Sequence, residues 1–175
     1  MLIRTIWPLI RFSSVRTPIG KIFIGVTELG VFDLTFGIRS DVIYRSRLAQ
    51  LALEVRRDDQ ALKFIIREID AYFSGDLKNF SIPVDLRTVT SFTSKVLRKT
   101  QKIRFGELVS YGELAASIGR TRASRAVGNA LGRNPIPLII PCHRVVSHTG
   151  QIGGYTGGLK KKRLLLRIEG YTFDA

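Results

Sequence analysis

The sequence predicts a mixed α/β protein of the α+β type, with a small antiparallel sheet and covering helix first and a helix-rich half after it. Three observations carry this reading. β-Branched and aromatic residues alternate between Ile10 and Phe36, the pattern of short strands. From Leu62 the apolar positions recur at helical spacing, which marks an amphipathic helix. An irregular, extended stretch from Asn79 to Val89, containing Ile82-Pro83-Val84, then separates strand-rich from helix-rich sequence and sets the boundary between residues 1–87 and 88–175.

In order, the strands of residues 10–36 form a meander broken at Thr17-Pro18-Ile19-Gly20 and Glu28-Leu29-Gly30, both turn signals. Residues 41–57 are ambiguous but compatible with a helix. Asp58 or Asp59 is placed to cap the next helix, whose apolar residues Leu62, Ile65, Ile66, Ile69, Tyr72 and Phe73 run to Gly75 and should cover the sheet. In the second half Ser91 is a candidate cap for a helix carrying Phe92, Val96 and Leu97. A short helix follows from about Tyr111 to Ile118, Gly119 ends it, and another runs from about Arg122 to Leu131. Two short helices around a glycine make a helix-turn-helix candidate. On the second of them Ala123, Ala126, Val127 and Ala130 share one face, turning Ser124, Arg125 and Gly128 outward. A face of small side chains beside one arginine suits minor-groove binding and base extrusion; Gly128 would equally permit close helix packing. The proline-punctuated stretch Asn134 to Val146 reads as largely extended and should hold Cys142 rigidly. A glycine-rich loop from Gly150 to Gly158 leads to a basic amphipathic helix, Leu159 to Ile168, ended by Gly170.

Composition narrows the function. A chain of 175 residues with 45% apolar content holds one ordinary domain or two small ones and has enough apolar surface to fold. Lys and Arg number 28 against 14 Asp and Glu, leaving a net charge of +14. Such a field concentrates polyanions and makes nucleic acid the leading partner; the alternative is a basic thermostable or ribosome-associated protein with solvated charges. The single cysteine excludes an intrachain disulfide framework and multi-cysteine zinc modules and fits a reducing, cytoplasmic setting. No run approaches the roughly 20 apolar residues that span a bilayer, and no full secretory signal is visible. The first 27 residues contain Arg4, Arg11, Arg16 and Lys21 but no acid, a bias shared with organelle transit peptides; a short tail running into a first strand is the preferred reading.

A lone cysteine is more often a small buried hydrophobe than a nucleophile. Here one of only two histidines stands beside it, as Cys142-His143, and an imidazole can take the thiol proton directly or through one water. Arg144 adds positive potential if it points the same way.

Pro141-Cys142-His143-Arg144-Val145, preceded by Asn134-Pro135 and Arg125-Ala126-Val127-Gly128, resembles the methylated-DNA-protein cysteine methyltransferase family, also called O6-alkylguanine-DNA alkyltransferases. The resemblance runs from about Phe92 to Gly170 and includes Phe105-Gly106-Glu107, Val109-Ser110-Tyr111, Gly153-Gly154-Tyr155-Thr156-Gly157-Gly158-Leu159 and Glu169-Gly170. Over residues 1–87 only Thr17-Pro18-Ile19-Gly20 matches. It implies a ribonuclease-H-like amino-terminal domain and a winged-helix-like carboxy-terminal domain that holds both the helix-turn-helix and the active site. It also implies repair of O6-alkylguanine, with O4-alkylthymine a further candidate, in double-stranded DNA by a monomer acting once.

By the same resemblance Cys142 accepts the alkyl group, His143 is its base through a water, and Glu169 orients the imidazole, with the logic of a triad. Tyr111 donates to the leaving guanine and Asn134 fixes the turn. The backbones of Cys142 and Val145 accept from the guanine amino group, the backbone of Thr156 donates to O6, and Tyr155 lines the pocket. Arg125 takes the place of the extruded base. Where many relatives have two glycines this chain has Gly128-Asn129, and at positions that often touch phosphate it has Gly112, Arg120 and His148. It lacks the extra cysteines that bind zinc in some relatives, so neither metal nor cofactor is expected. Three rivals remain at this point: a damage sensor that flips the base without chemistry, a cysteine hydrolase, and a helix-turn-helix transcription factor with a structural cysteine.

Overall fold

The computed structural model of the chain describes residues 7–172; the first residues of the acid-free amino terminus, Arg4 among them, lie outside these. The chain forms two compact units, Met1–Thr88 and Val89–Ala175.

In the first unit β1 (Trp7–Thr17), β2 (Gly20–Thr27) and β3 (Gly30–Phe36) form the expected antiparallel meander. Gly20 and Gly30 have φ of 105° and 136°, a region closed to most side chains, and each opens the strand after its turn. A Cβ on Gly30 would stand 2.3 Å from the Pro83 carbonyl oxygen. That close approach lets the Val31 amide donate to Pro83 at 2.9 Å and the Asp85 amide donate back to Val31 at 2.8 Å.

The ambiguous residues 41–57 divide into a helix and a strand. Ser40 caps α1 (Asp41–Leu48) by accepting from the Ile43 amide, and β4 (Ala52–Arg57) then pairs parallel to β1, giving the order β3-β2-β1-β4. The sheet is therefore mixed rather than wholly antiparallel. A parallel pair needs a crossover connection, which α1 supplies. As an edge strand with only Val55 buried, β4 has no strong alternation to read.

α2 (Lys63–Ser74) ends at Gly75 with φ 84° and buries Ile69 and Tyr72 as it packs on β1. Neither aspartate caps it. Asp58 accepts from the Ala61 amide in the preceding turn, while Asp59 accepts from Ser13 and Arg57. Trp7, Ile10, Phe12, Phe23, Phe32, Tyr44, Leu48 and Val55 make the core, each large side chain contributing roughly 1.5–3 kcal/mol on burial.

The second unit contains α3 (Ser91–Thr100), α4 (Tyr111–Ser117), α5 (Ser124–Gly132) and α6 (Leu159–Ile168), with the two-residue strands β5 (Val109–Ser110) and β6 (Val145–Val146) paired parallel. Thr90 rather than Ser91 caps α3, accepting from the Thr93 amide, and Ser91 is the first helical residue. Val96 and Leu97 are buried, whereas Phe92 is exposed. A capping box closes α4, with Ser110 accepting from the Glu113 amide and Glu113 from the Ser110 amide. On α5 the core side is Val127, Ala130 and Leu131. Ala126 is exposed, because α5 packs against α3 and α4 along a stripe that Leu131, not Ala126, completes.

Candidate active site

The segment around Cys142 is coiled rather than extended. Its turn is closed by a bond from the Ile140 amide to the Ile136 carbonyl at 2.9 Å, with Leu138 at φ 80° between them, the one non-glycine of positive φ among the described residues. Such a conformation costs on the order of 1 kcal/mol and persists only where surroundings enforce it. Asn134 enforces it. Its Oδ1 accepts from the Ile136 amide at 3.0 Å, and its Nδ2 donates to the Ile140 carbonyl at 3.0 Å and to the Cys142 sulfur at 3.2 Å. One buried amide thus shapes the turn and presents a donor to the thiol. Cys142 then opens a 3-10 turn with His143 and Arg144.

The two residues after the thiol converge on one carboxylate, Glu169. His143 Nε2 lies 2.9 Å from Glu169 Oε1, and Arg144 donates to both Glu169 oxygens from Nε, at 3.1 and 2.9 Å, and to the Ile103 carbonyl from a terminal nitrogen at 2.6 Å. All three are buried. Burial alone would push the Glu169 carboxyl up, but the bonds from His143 and Arg144 outweigh it and hold the group at about 2. Burial drives the His143 imidazole down, against the pull of Glu169. At neutral pH the cluster is therefore carboxylate, guanidinium and neutral imidazole. An ionised Glu169 assigns the proton to Nε2 and leaves Nδ1 as the basic nitrogen. Burial also raises the Cys142 thiol, opposed by the Asn134 donor and the Lys162 charge.

Lys162 was not anticipated. It is fully buried on α6 and donates to the Val145 carbonyl at 2.6 Å and the Gly154 carbonyl at 3.1 Å, tying β6 to the glycine-rich loop. Burial lowers its ammonium to about 8, with Cys142 pulling the other way. The signal was available, because Lys162 shares the apolar face of α6 with Leu165 and Leu166, where a solvated lysine has no place. Arg144 was noted for its charge, but nothing in sequence names the carboxylate it meets.

Cys142 lies on a cavity of about 340 Å³ whose walls include Tyr111, Gly128, Tyr155 and Thr156. Tyr111 opens α4, and its phenol is raised by burial and by Cys142 and bonded by the Gly154 backbone. The Thr156 hydroxyl donates to the Gly132 carbonyl at 3.1 Å. A second hollow of about 490 Å³, sharing Tyr111 and Gly128, gathers Gly112, Ser124, Arg125 and His148. Arg120 is exposed in the turn between α4 and α5, and lines neither.

Two family models match the chain. Residues 10–86 match the ribonuclease-like domain of 6-O-methylguanine DNA methyltransferase, and residues 91–171 match its DNA binding domain. The chain belongs to the methylated-DNA-protein cysteine methyltransferase family. Among family relatives, one from Methanosarcina acetivorans is 45% identical over 159 residues, covering 91% of this chain and 97% of its own. Another, from Mycolicibacterium paratuberculosis, is 37% identical over 166 residues, covering 92% and 93%. A crystal structure of the Mycobacterium tuberculosis protein OGT in complex with DNA superimposes with a TM-score of 0.78 at 35% identity, covering 92% of both chains.

Proposed function

We propose that this chain repairs O6-alkylguanine in double-stranded DNA by moving the alkyl group to Cys142. The observation that carries this reading is a buried thiol, held by a bond from Asn134, followed directly by an imidazole braced on Glu169, and opening on a cavity large enough for one base. Residues 88–175 bind DNA and do the chemistry, and residues 1–87 support them. Ser124 and Gly128 on α5 let the helix lie close in a minor groove, Gly112, Arg120 and His148 meet phosphate, and Arg125 fills the gap left by the flipped base. That filling offsets part of an unstacking cost of a few kcal/mol.

In the cavity His143, through a water, takes the thiol proton, and Glu169 stabilises the imidazolium. The sulfur attacks the alkyl carbon in line with the bond to O6; the S–C bond forms as the C–O6 bond breaks. Tyr111 donates to the departing guanine so that it does not leave as a free anion. The Cys142 and Val145 carbonyls accept from the guanine amino group, the Thr156 amide donates to O6, and Tyr155 packs on the base. Neither a metal nor a cofactor has a part in these steps. The thioether has no hydrolytic route back, so each molecule acts once. One chain supplies every group, so a monomer suffices. No described helix is long and apolar enough to cross a membrane, and the activity assigns the protein to the compartment that holds DNA, the cytoplasm of a cell without a nucleus.

Incubation with a duplex carrying one O6-methylguanine should add one methyl mass per molecule, read by intact mass spectrometry, and Cys142→Ala should add none. Tight lesion binding with no gain in mass would instead identify a sensor.

A pH profile tests Lys162. Its ammonium, held at about 8, supports the developing thiolate and fixes the Val145 carbonyl. The single-turnover rate should therefore level or fall as pH rises through about 8, and Lys162→Met should be roughly tenfold slower at pH 7, the equivalent of about 1.4 kcal/mol less support for the developing thiolate, with no inflection there. Stability moves the other way. A lysine depressed in the fold carries a cost that is full below pH 8 and fades toward its unfolded value of about 10.4, so the stability of the wild type relative to the methionine variant should rise between those two values.

A further inference from the structure

α3 carries a second feature that the alkyl transfer does not use. Lys95, Arg98 and Lys99 are exposed on it, and Lys102 is exposed just past its end, a spacing of i, i+3, i+4 and i+7 that aligns them as one ridge. Thr93, Val96, Leu97 and Thr100 fill the opposite, buried face, and α3 packs on α5 and α4. The ridge therefore points away from the helices that bear Arg125 and Tyr111. None of its four cations has a carboxylate partner among the described residues.

An ordinary solvated face mixes both signs, and this unit cannot supply the acids. Residues 89–175 hold 15 of the 28 Lys and Arg but only 4 of the 14 Asp and Glu. Of these four, Glu107 accepts from the Arg104 amide, Glu113 closes the α4 capping box and Glu169 is buried with Arg144. Like charges three and four residues apart repel. The helix dipole compensates Arg98 and Lys99 in the last turn, but not Lys95.

We propose that this ridge binds the phosphate backbone of a second segment of duplex DNA, so that one molecule bridges two duplexes and passes directly between them. The inference rests on the DNA-repair reading above, in which α5 engages the lesion-bearing duplex. A second face of this kind speeds search, because the protein need not dissociate into solvent before sampling a distant site.

The test is release of full-length protein from a labelled duplex containing O6-methylguanine, chased with unlabelled undamaged duplex, in a Cys142→Ala background that prevents turnover. If the ridge takes a second duplex, release should accelerate in proportion to competitor. The combined Lys95→Gln, Arg98→Gln, Lys99→Gln and Lys102→Gln variant should lose that acceleration at least tenfold, with Lys95→Gln plus Lys102→Gln between the two. The thermal midpoint of each variant verifies folding. Release that ignores competitor, or that responds equally in the parent and the quadruple variant, overturns the proposal. Acceleration by polyglutamate but not by duplex overturns it in favour of an acidic protein partner. Failure of the repair reading is distinct: the labelled duplex would not bind at all, and the protein with Cys142 intact would gain no methyl mass.

Discussion

Glu169→Ala is expected to lower stability by about 3–5 kcal/mol, because it strands the buried Arg144 guanidinium without its counter-charge. Glu169 is fully enclosed and receives His143 and Arg144 on its two oxygens, so the loss is not made good by water. Urea unfolding should show an earlier midpoint at unchanged slope. Adding Arg144→Met should recover much of the stability, since exchanging a buried pair for apolar groups of similar size is often neutral. The alkyl transfer rate should not recover with it, because His143 has lost the group that holds its proton on Nε2. Stability that returns while activity does not would separate the two duties of this carboxylate. The wild-type pH dependence follows from the same contacts: with the carboxyl held at about 2, its contribution is complete above the unfolded value near 4.3 and is lost as pH falls toward 2.

Asn134→Ala is the second large effect. It removes the donor to the Cys142 sulfur and both side-chain bonds that brace the Leu138 turn. Each buried bond contributes about 1 kcal/mol net, and an orphaned partner costs more, so a destabilisation of about 2–4 kcal/mol is expected. Transfer should slow on the order of 100-fold, the scale seen when one fixed donor to a developing charge is removed. Asn134→Asp discriminates the roles. It can still accept from the Ile136 amide, but sets a negative charge against the sulfur, so it should keep more of the stability than alanine while transferring no faster.

Much of this is legible in the sequence. The two glycine turns, the helix ending at Gly75 and the final amphipathic helix each have a local cause, and each stands where that cause put it. What was misread depends on neighbours that no local pattern names. β4 is a strand because β1 lies beside it, and its one buried residue leaves no local trace. Ala126 looked like a core position because alanine is compatible with either side of a helix. The prolines between 134 and 141 suggested extension, yet the turn there is set by the Asn134 amide, whose three bonds no pattern of hydropathy encodes. At the site itself Cys142 and His143 drew attention through their rarity and adjacency. Arg144 was noted for its charge but not for the carboxylate it meets, and Lys162 was not noted at all, because among 28 basic residues a buried one looks like the rest until its neighbours are known.

The strap formed by residues 83–85 has one more effect. A sheet edge offers a row of unsatisfied amides and carbonyls on which another chain can template itself. At β3 the strap takes the start of that row, pairing both backbone groups of Val31 and bridging to Val84, and it is anchored by Thr27 on Asp85 and by Arg87 on both Asp85 and Glu28. At the other edge β4 has no covering strand among the described residues, but it presents Glu54, Arg56 and Arg57 outward, charges that a second sheet could not dock against without desolvating them. The sheet is thus guarded against edge-to-edge aggregation by its own chain on one side and by hydrated charge on the other.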